Sequence, residues 1–180
     1  MNERQHQIIT AAIPLFLDEG VGVATARIAQ KAGVSNGTLF NAFSTKQDLI
    51  DAIYRSKKLA MFAVFPEPDG RPFGLSQMRA TWDAYLRWVR AAPNDHKVMH
   101  LLHESGLASS RVKAEMEEHA APFAQSLIDA LDIGTIRGPS VSYISDVILA
   151  QIDLVIEHNL TGADEDLAFD MLCNTIGLGK

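Results

Sequence analysis

Ser35, Asn36, Gly37, Thr38 and Asn41 lie within seven residues of one another and carry chemistry suited to reading base pairs. An asparagine carboxamide can pair with adenine, a threonine methyl can meet thymine, and a glycine lets the backbone come close. A second group, His96, His100 and His103, has the i, i+4, i+7 spacing at which imidazoles on one helix can share a metal ion. Val98, Leu101 and Leu102 mark the buried side of that helix, so the three histidines are expected on its solvated face and no metal is assigned. Catalysis has no such constellation. Cys173 sits in an apolar stripe, and the carboxylates at Glu115, Glu117, Glu118 and at Asp164, Glu165, Asp166 fit solvated faces and helix starts. No glycine-rich phosphate loop is present, so an enzyme reading is rejected and no cofactor is expected.

The elements that must position the first group read as two short helices and a tight turn. Ile28 to Ala32 form the first helix, Gly33 supplies the positive φ needed to leave it, and Ser35 caps the second. Ala29 is small where the helices cross, while Ile28, Val34, Leu39 and Phe43 face inward. Together these make the skeleton of a helix-turn-helix, whose second helix lies in a DNA major groove.

The flanks extend the pattern. Ile9, Ala12, Leu15, Phe16 and Gly20 precede it, and Phe43-Ser44-Thr45-Lys46 with Leu49 follows. Residues 9 to 49 resemble the DNA-binding region of TetR-type (tetracycline-repressor-like) bacterial transcription regulators. Across the full chain that resemblance implies an all-α, nine-helix architecture, with a helix-turn-helix head over residues 1–58 and a ligand-binding and dimerisation domain over 59–180. The fourth helix is shared between them. The DNA-contacting set it implies is Thr25, Arg27, Lys31, Ser35, Asn36, Gly37, Thr38, Leu39, Phe40, Asn41 and Lys46. The family's usual capping threonine is replaced by Val23, so Thr25 is expected to take over the cap. Phe40 stands where a tyrosine is frequent, which removes one phenolic bond to phosphate.

Composition fits that division. The net charge of −6 splits into +2 over residues 1–58, with seven basic and five acidic side chains, and −8 over the remainder. An acidic body keeps itself off phosphates and turns the basic head toward them. The lone Cys173 excludes an internal disulfide, the first residues lead into a periodic helix, and apolar runs are short. The expectation is a cytoplasmic protein with no membrane contact.

Periodicity places a first helix over about 3–19 containing Pro14, and Thr45 to Asp48 reads as a capping box opening the fourth helix. That helix is expected to reach about Phe65 and to be broken by the Pro- and Gly-rich segment 66–74. Leu75 to Val89 carry a fifth helix ended by Pro93, about Asp95 to Glu104 a sixth, and about Ser110 to Leu131 a seventh with Pro122 as a kink. Pro139 is expected in the first turn of an eighth, ended by Gly162, and Leu167 to Ile176 in a ninth. The eighth helix is apolar nearly all round and must be covered on more than one side.

By resemblance a small effector binds in the larger domain, and the aromatic and methionine supply there gives the candidate lining: Met61, Phe62, Phe65, Trp82, Tyr85, Met99, His103, Met116, Phe123, Ile148, Gln151 and Ile152. For any one of these taken singly, a place in the core is the favoured assignment. A homodimer on a palindromic double-stranded operator is expected, because one short recognition helix makes too few contacts alone. Its interface is assigned to Ile144, Ile148, Ile152 and Val155 of the eighth helix and Leu167, Met171 and Leu172 of the ninth. The rival reading is a helical ligand carrier or enzyme in which residues 28–43 are only structural.

Overall fold

The computed structural model describes residues 1–67 and 70–178. Among the described residues there are nine α-helices and no strand: α1 Glu3–Glu19, α2 Thr25–Lys31, α3 Asn36–Ala42, α4 Lys46–Phe62, α5 Leu75–Ala91, α6 Pro93–Glu104, α7 Ser110–Asp132, α8 Val141–Glu157 and α9 Ala163–Ile176. The chain divides into two compact units, residues 1–63 with 89–118, and 64–88 with 119–178, so the division falls within α5 and α7.

Local signals set most boundaries. Asn2 and Gln5 form a reciprocal capping box at α1, and Thr45 and Asp48 form another at α4. α1 continues through Pro14 and α7 through Pro122. Four boundaries depart from expectation. α4 ends at Phe62, three residues early, before the predicted break, of which Pro68 and Asp69 lie outside the described residues. Pro93 begins α6 at the position where a missing N–H is harmless. Pro139 precedes α8, because Ser140 accepts the Tyr143 N–H at 3.2 Å and is itself the cap. Gly162 opens α9, while α8 has already ended at Glu157.

In the first unit α1 packs against α2, α3, α4 and α6, α2 against α3, and α4 against α6. Ile8, Ile9, Ala12 and Phe16 of α1, Ile28 of α2, Leu39 of α3 and Leu49 and Ile53 of α4 are all buried. The second unit pairs α8 with α9. Trp82 meets Phe169 edge-on at 5.5 Å, and the Arg79 guanidinium lies 4.9 Å from the same ring while pairing with Asp83 and Asp166.

Candidate nucleic-acid interface

The turn between α2 and α3 is closed by backbone groups. Gly33 sits at φ +66°, its N–H donates to Gln30 O at 3.1 Å, and the Val34 N–H reaches Ala29 O at 3.0 Å. Ser35 then accepts the Thr38 N–H at 3.0 Å and shares a 2.8 Å hydrogen bond with the Thr38 hydroxyl. The helix ends have partners that residue type alone did not reveal. Gln7 donates to Ala32 O at 2.7 Å and Gln5 to Ala42 O at 3.2 Å, so two α1 glutamines satisfy terminal carbonyls of α2 and α3.

This frame fixes which α3 side chains face out. Leu39 is fully buried, and Phe43 beyond the helix end is buried too. Asn36, Gly37, Phe40 and Asn41 are exposed, Phe40 by 40%. At 100° per residue these four span an arc of about 140° on one side. Leu39 therefore anchors the helix and is withdrawn from any direct base contact. Thr38 is half-buried, with its hydroxyl already engaged by Ser35.

The flanking residues differ among themselves. Ala24, not Thr25, precedes α2 as its cap, with no side-chain bond there; Thr25 is the first helical residue. The expected capping role of Thr25 is thus corrected, since its hydroxyl arrives one position late. Arg27 is exposed and paired with Glu19 at 2.7 Å, a contact that contributes little in water. Lys31 is exposed at the end of α2. Lys46 donates to Val23 O at 2.6 Å, which ties the start of α4 to the loop before α2, and burial pulls its pKa below the ordinary lysine value.

α4 is held to the α6–α7 region of the same unit by a polar seam. Asp51 is buried, yet accepts the Ser109 N–H at 3.0 Å, the Ser109 hydroxyl at 2.5 Å and the Gln47 amide at 2.8 Å. Gln47 also donates to Leu107 O at 2.9 Å. Arg55 grips Glu115 through two 2.6 Å bonds, and Lys57 pairs with Asp95 at 2.9 Å. Desolvation raises the Asp51 pKa, but the Ser109 and Gln47 hydrogen bonds and the Arg111 charge outweigh it and hold the group below the usual carboxylate value.

The candidate effector residues fall into both units. In the first, Met61, Met99 and Met116 are buried, Phe62 is half-buried, and His103 is exposed with Nδ1 3.1 Å from the Tyr54 hydroxyl. In the second, Phe65 lies 5.9 Å from Tyr85 and 5.8 Å from Phe123, Phe73 meets Phe123 edge-on at 5.4 Å, and Trp88 stands 5.6 Å from Tyr85. Phe73 was not in the expected set. Trp82 is fully buried, and its indole N–H has no hydrogen-bond partner among the described residues. Ile148 and Ile152 are buried, and Gln151 donates to Ala168 O at 3.3 Å.

Two expectations are corrected. His96 is buried with Val98, Met99 and Leu102, and its ring lies 4.3 Å from that of His100, so the histidines are not a solvated face. Leu101, the residue taken to mark the buried side, is only half-buried. The interface set also divides. Ile144, Ile148, Ile152, Val155 and Leu172 are buried within the chain itself, leaving no surface to give a partner. Exposed instead are Tyr143 and Leu154 of α8, and Leu167 and Met171 of α9, at 47 to 59%. Cys173 is buried, and desolvation pushes its thiol up, keeping it protonated.

Residues 8–53 match the profile described as bacterial regulatory proteins, tetR family. Among solved structures, a TetR family transcription regulator from Marinobacter aquaeolei VT8 superposes with a TM-score of 0.81 at 18% identity, over 96% of this chain and 95% of that one. A proposed tetR family regulator from Shewanella sp. PV-4 gives 0.79 at 21% identity, over 97% and 98%. A bacterial regulatory protein of the tetR family from Rhodococcus RHA1 gives 0.75 at 18% identity over the whole of both chains. At these identities the structures speak to the fold, and the profile match speaks to the head. No helix among the described residues is long and apolar enough to cross a membrane. Residues 8–53 are thus similar to the DNA-binding region of the tetR family of bacterial regulatory proteins, and over its full length the chain shares the all-α fold of these structures.

Proposed function

We propose that the protein is a sequence-specific DNA-binding transcription regulator, a homodimeric repressor that a small-molecule effector releases from a palindromic operator. The observation carrying this reading is α3 itself: a short helix locked from behind by Leu39 and by the Ser35 cap, with Asn36, Gly37, Phe40 and Asn41 facing outward. Residues 1–58 serve as the DNA-binding head and residues 59–180 as the effector and dimerisation domain. Ser35, Thr25, Arg27, Lys31 and Lys46 supply backbone-positioning contacts around the base-facing arc.

Dimerisation is supported by the open apolar stripe of α8 and α9. Tyr143, Ala150 and Leu154 follow helical spacing along α8, and Leu167 and Met171 lie one turn apart on α9. A second copy presenting the same stripe would bury it as a four-helix bundle. The two recognition helices then address half-sites about one DNA turn, roughly 34–36 Å, apart.

Release follows from the α4 seam. α4 begins directly after the DNA-facing pair and is fastened to the α6–α7 region by Asp51, Arg55 and Lys57. An effector that favours another arrangement of α6 and α7 would carry α4 and the head with it. It can shift operator affinity only by its differential affinity for the two arrangements. The test is a gel-shift titration on DNA flanking the protein's own gene at about 150 mM salt with excess nonspecific competitor. Retained complex on one fragment supports the regulator reading; binding lost equally from all fragments as salt rises supports the carrier alternative.

A further inference from the structure

The outward arc of α3 also specifies which bases it suits, an inference that rests on the DNA-binding reading above. The helix sequence Asn-Gly-Thr-Leu-Phe-Asn-Ala contains no arginine, lysine, aspartate or glutamate. Guanine is read chiefly by bidentate Arg or Lys on O6 and N7, and cytosine by an acidic acceptor for its N4 amine. α3 offers neither. It offers two carboxamides, the side chains that pair bidentately with adenine N6 and N7, and an exposed phenyl ring that can contact the thymine 5-methyl. Neither asparagine side chain makes a hydrogen bond among the described residues, so both amides are available. The Thr38 hydroxyl, by contrast, is taken by Ser35.

Gly37 is a second, independent indication. Glycine is a poorer helix former than alanine, because ordering it costs more backbone freedom. Nothing inside the protein calls for it: an added Cβ would meet only Ser35 Oγ, at 3.8 Å, and the backbone is not in the left-handed region. The space it leaves is on the open arc, between Asn36 and Asn41, where a groove wall must come close.

Five residues at 1.5 Å each separate Asn36 from Asn41 by about 7.5 Å along the helix, close to two base steps of about 3.4 Å. We propose that each half-site presents three consecutive A·T pairs to α3, the outer adenines held by Asn36 and Asn41 and the thymine methyl between them packed against Phe40.

The test is selection of duplexes by the purified full-length protein from a randomised library at about 150 mM salt, followed by fluorescence anisotropy on the selected site. Symmetric half-sites with an A·T block are expected, and replacing either outer pair with G·C should weaken binding by roughly 5- to 150-fold. Exchanging adenine for 7-deazaadenine, which lacks N7, should weaken wild type by about tenfold or more and leave the matching Asn36→Ala or Asn41→Ala variant unchanged. Deoxyuridine, which lacks the methyl, should weaken wild type about fourfold and leave Phe40→Ala unchanged. Far-ultraviolet circular dichroism shows that each variant is folded. A selected palindrome with G·C where α3 faces it, or analogue effects equal in wild type and variants, overturns this inference and leaves the regulator reading standing. Failure to enrich any sequence overturns both.

Discussion

Removing the Asp51 carboxylate should be among the most damaging single changes away from the apolar core. In Asp51→Ala the Ser109 N–H, the Ser109 hydroxyl and the Gln47 amide lose their shared, buried acceptor. Hydrogen bonds to a charged group contribute roughly 1.5–3 kcal/mol each, but the three are not additive, and a buried charged contact broken from one side costs about 3–5 kcal/mol. We expect a loss of about 3 kcal/mol, or a fall in Tm of roughly 6–12 °C for a chain of this size. Ser109→Ala keeps the backbone N–H but loses both the bond to Asp51 and the 3.3 Å bond that the hydroxyl accepts from Val112 N–H. Its cost should be about 1–2 kcal/mol. The assay is denaturant unfolding by circular dichroism for wild type, both single variants and the double variant. The double variant should be more stable than the summed singles imply, by about 1 kcal/mol or more. Additivity within about 0.5 kcal/mol would mean the two groups do not interact, and the seam argument would fail. The same group gives a pH signature. Because its folded pKa lies below the ordinary value, its contribution is present above about pH 4 and is lost as pH falls through the folded pKa. The stability gap between wild type and Asp51→Asn should therefore close on acidification and stay constant between pH 5 and 7.

Leu39→Ala empties a fully buried site behind α3 and should cost about 2–5 kcal/mol, read as lowered protection of the head amides in hydrogen exchange. Gly33→Val forces a β-branched residue to φ +66° and should destabilise the head by about 1–3 kcal/mol in the same measurement, whereas Gly33→Asn should cost distinctly less. Leu154→Glu or Met171→Glu places a charge on the open stripe of α8 and α9. Sedimentation velocity should then show a monomer of unchanged helicity, and an unaltered dimer would remove that stripe from the interface.

The parts of the fold that were legible in the sequence are those decided within a few residues. Ser35 and Thr45 had to cap, since their hydroxyls stand three residues before waiting N–H groups, and Gly33 had to turn, since its place between two helices demands a positive φ. What was misread depends on distant neighbours. In α8 apolar residues occupy nearly the whole circumference, so its pattern holds no phase, and Ile144 and Ile152 could be taken for an outer face that Leu154 and Tyr143 in fact occupy. His96 is polar by type, yet sits among Val98, Met99 and Leu102, which a rule placing histidine outward cannot anticipate. Gln5, Gln7 and Asp51 look like ordinary solvated residues until their partners, 25 to 58 positions away, are in place. Thr25 failed for a smaller reason: α2 starts one residue earlier than the cap assignment required.

Hydroxyl-radical footprinting of the operator by wild type and by the Asn36→Ala/Asn41→Ala double variant tests the central claim most directly. The account predicts two protected half-sites on one face of the duplex, centred about 10 base pairs or a multiple apart, and loss of that protection in a double variant that remains folded and dimeric. Protection that is absent in wild type, or that survives unchanged without both carboxamides, would contradict it.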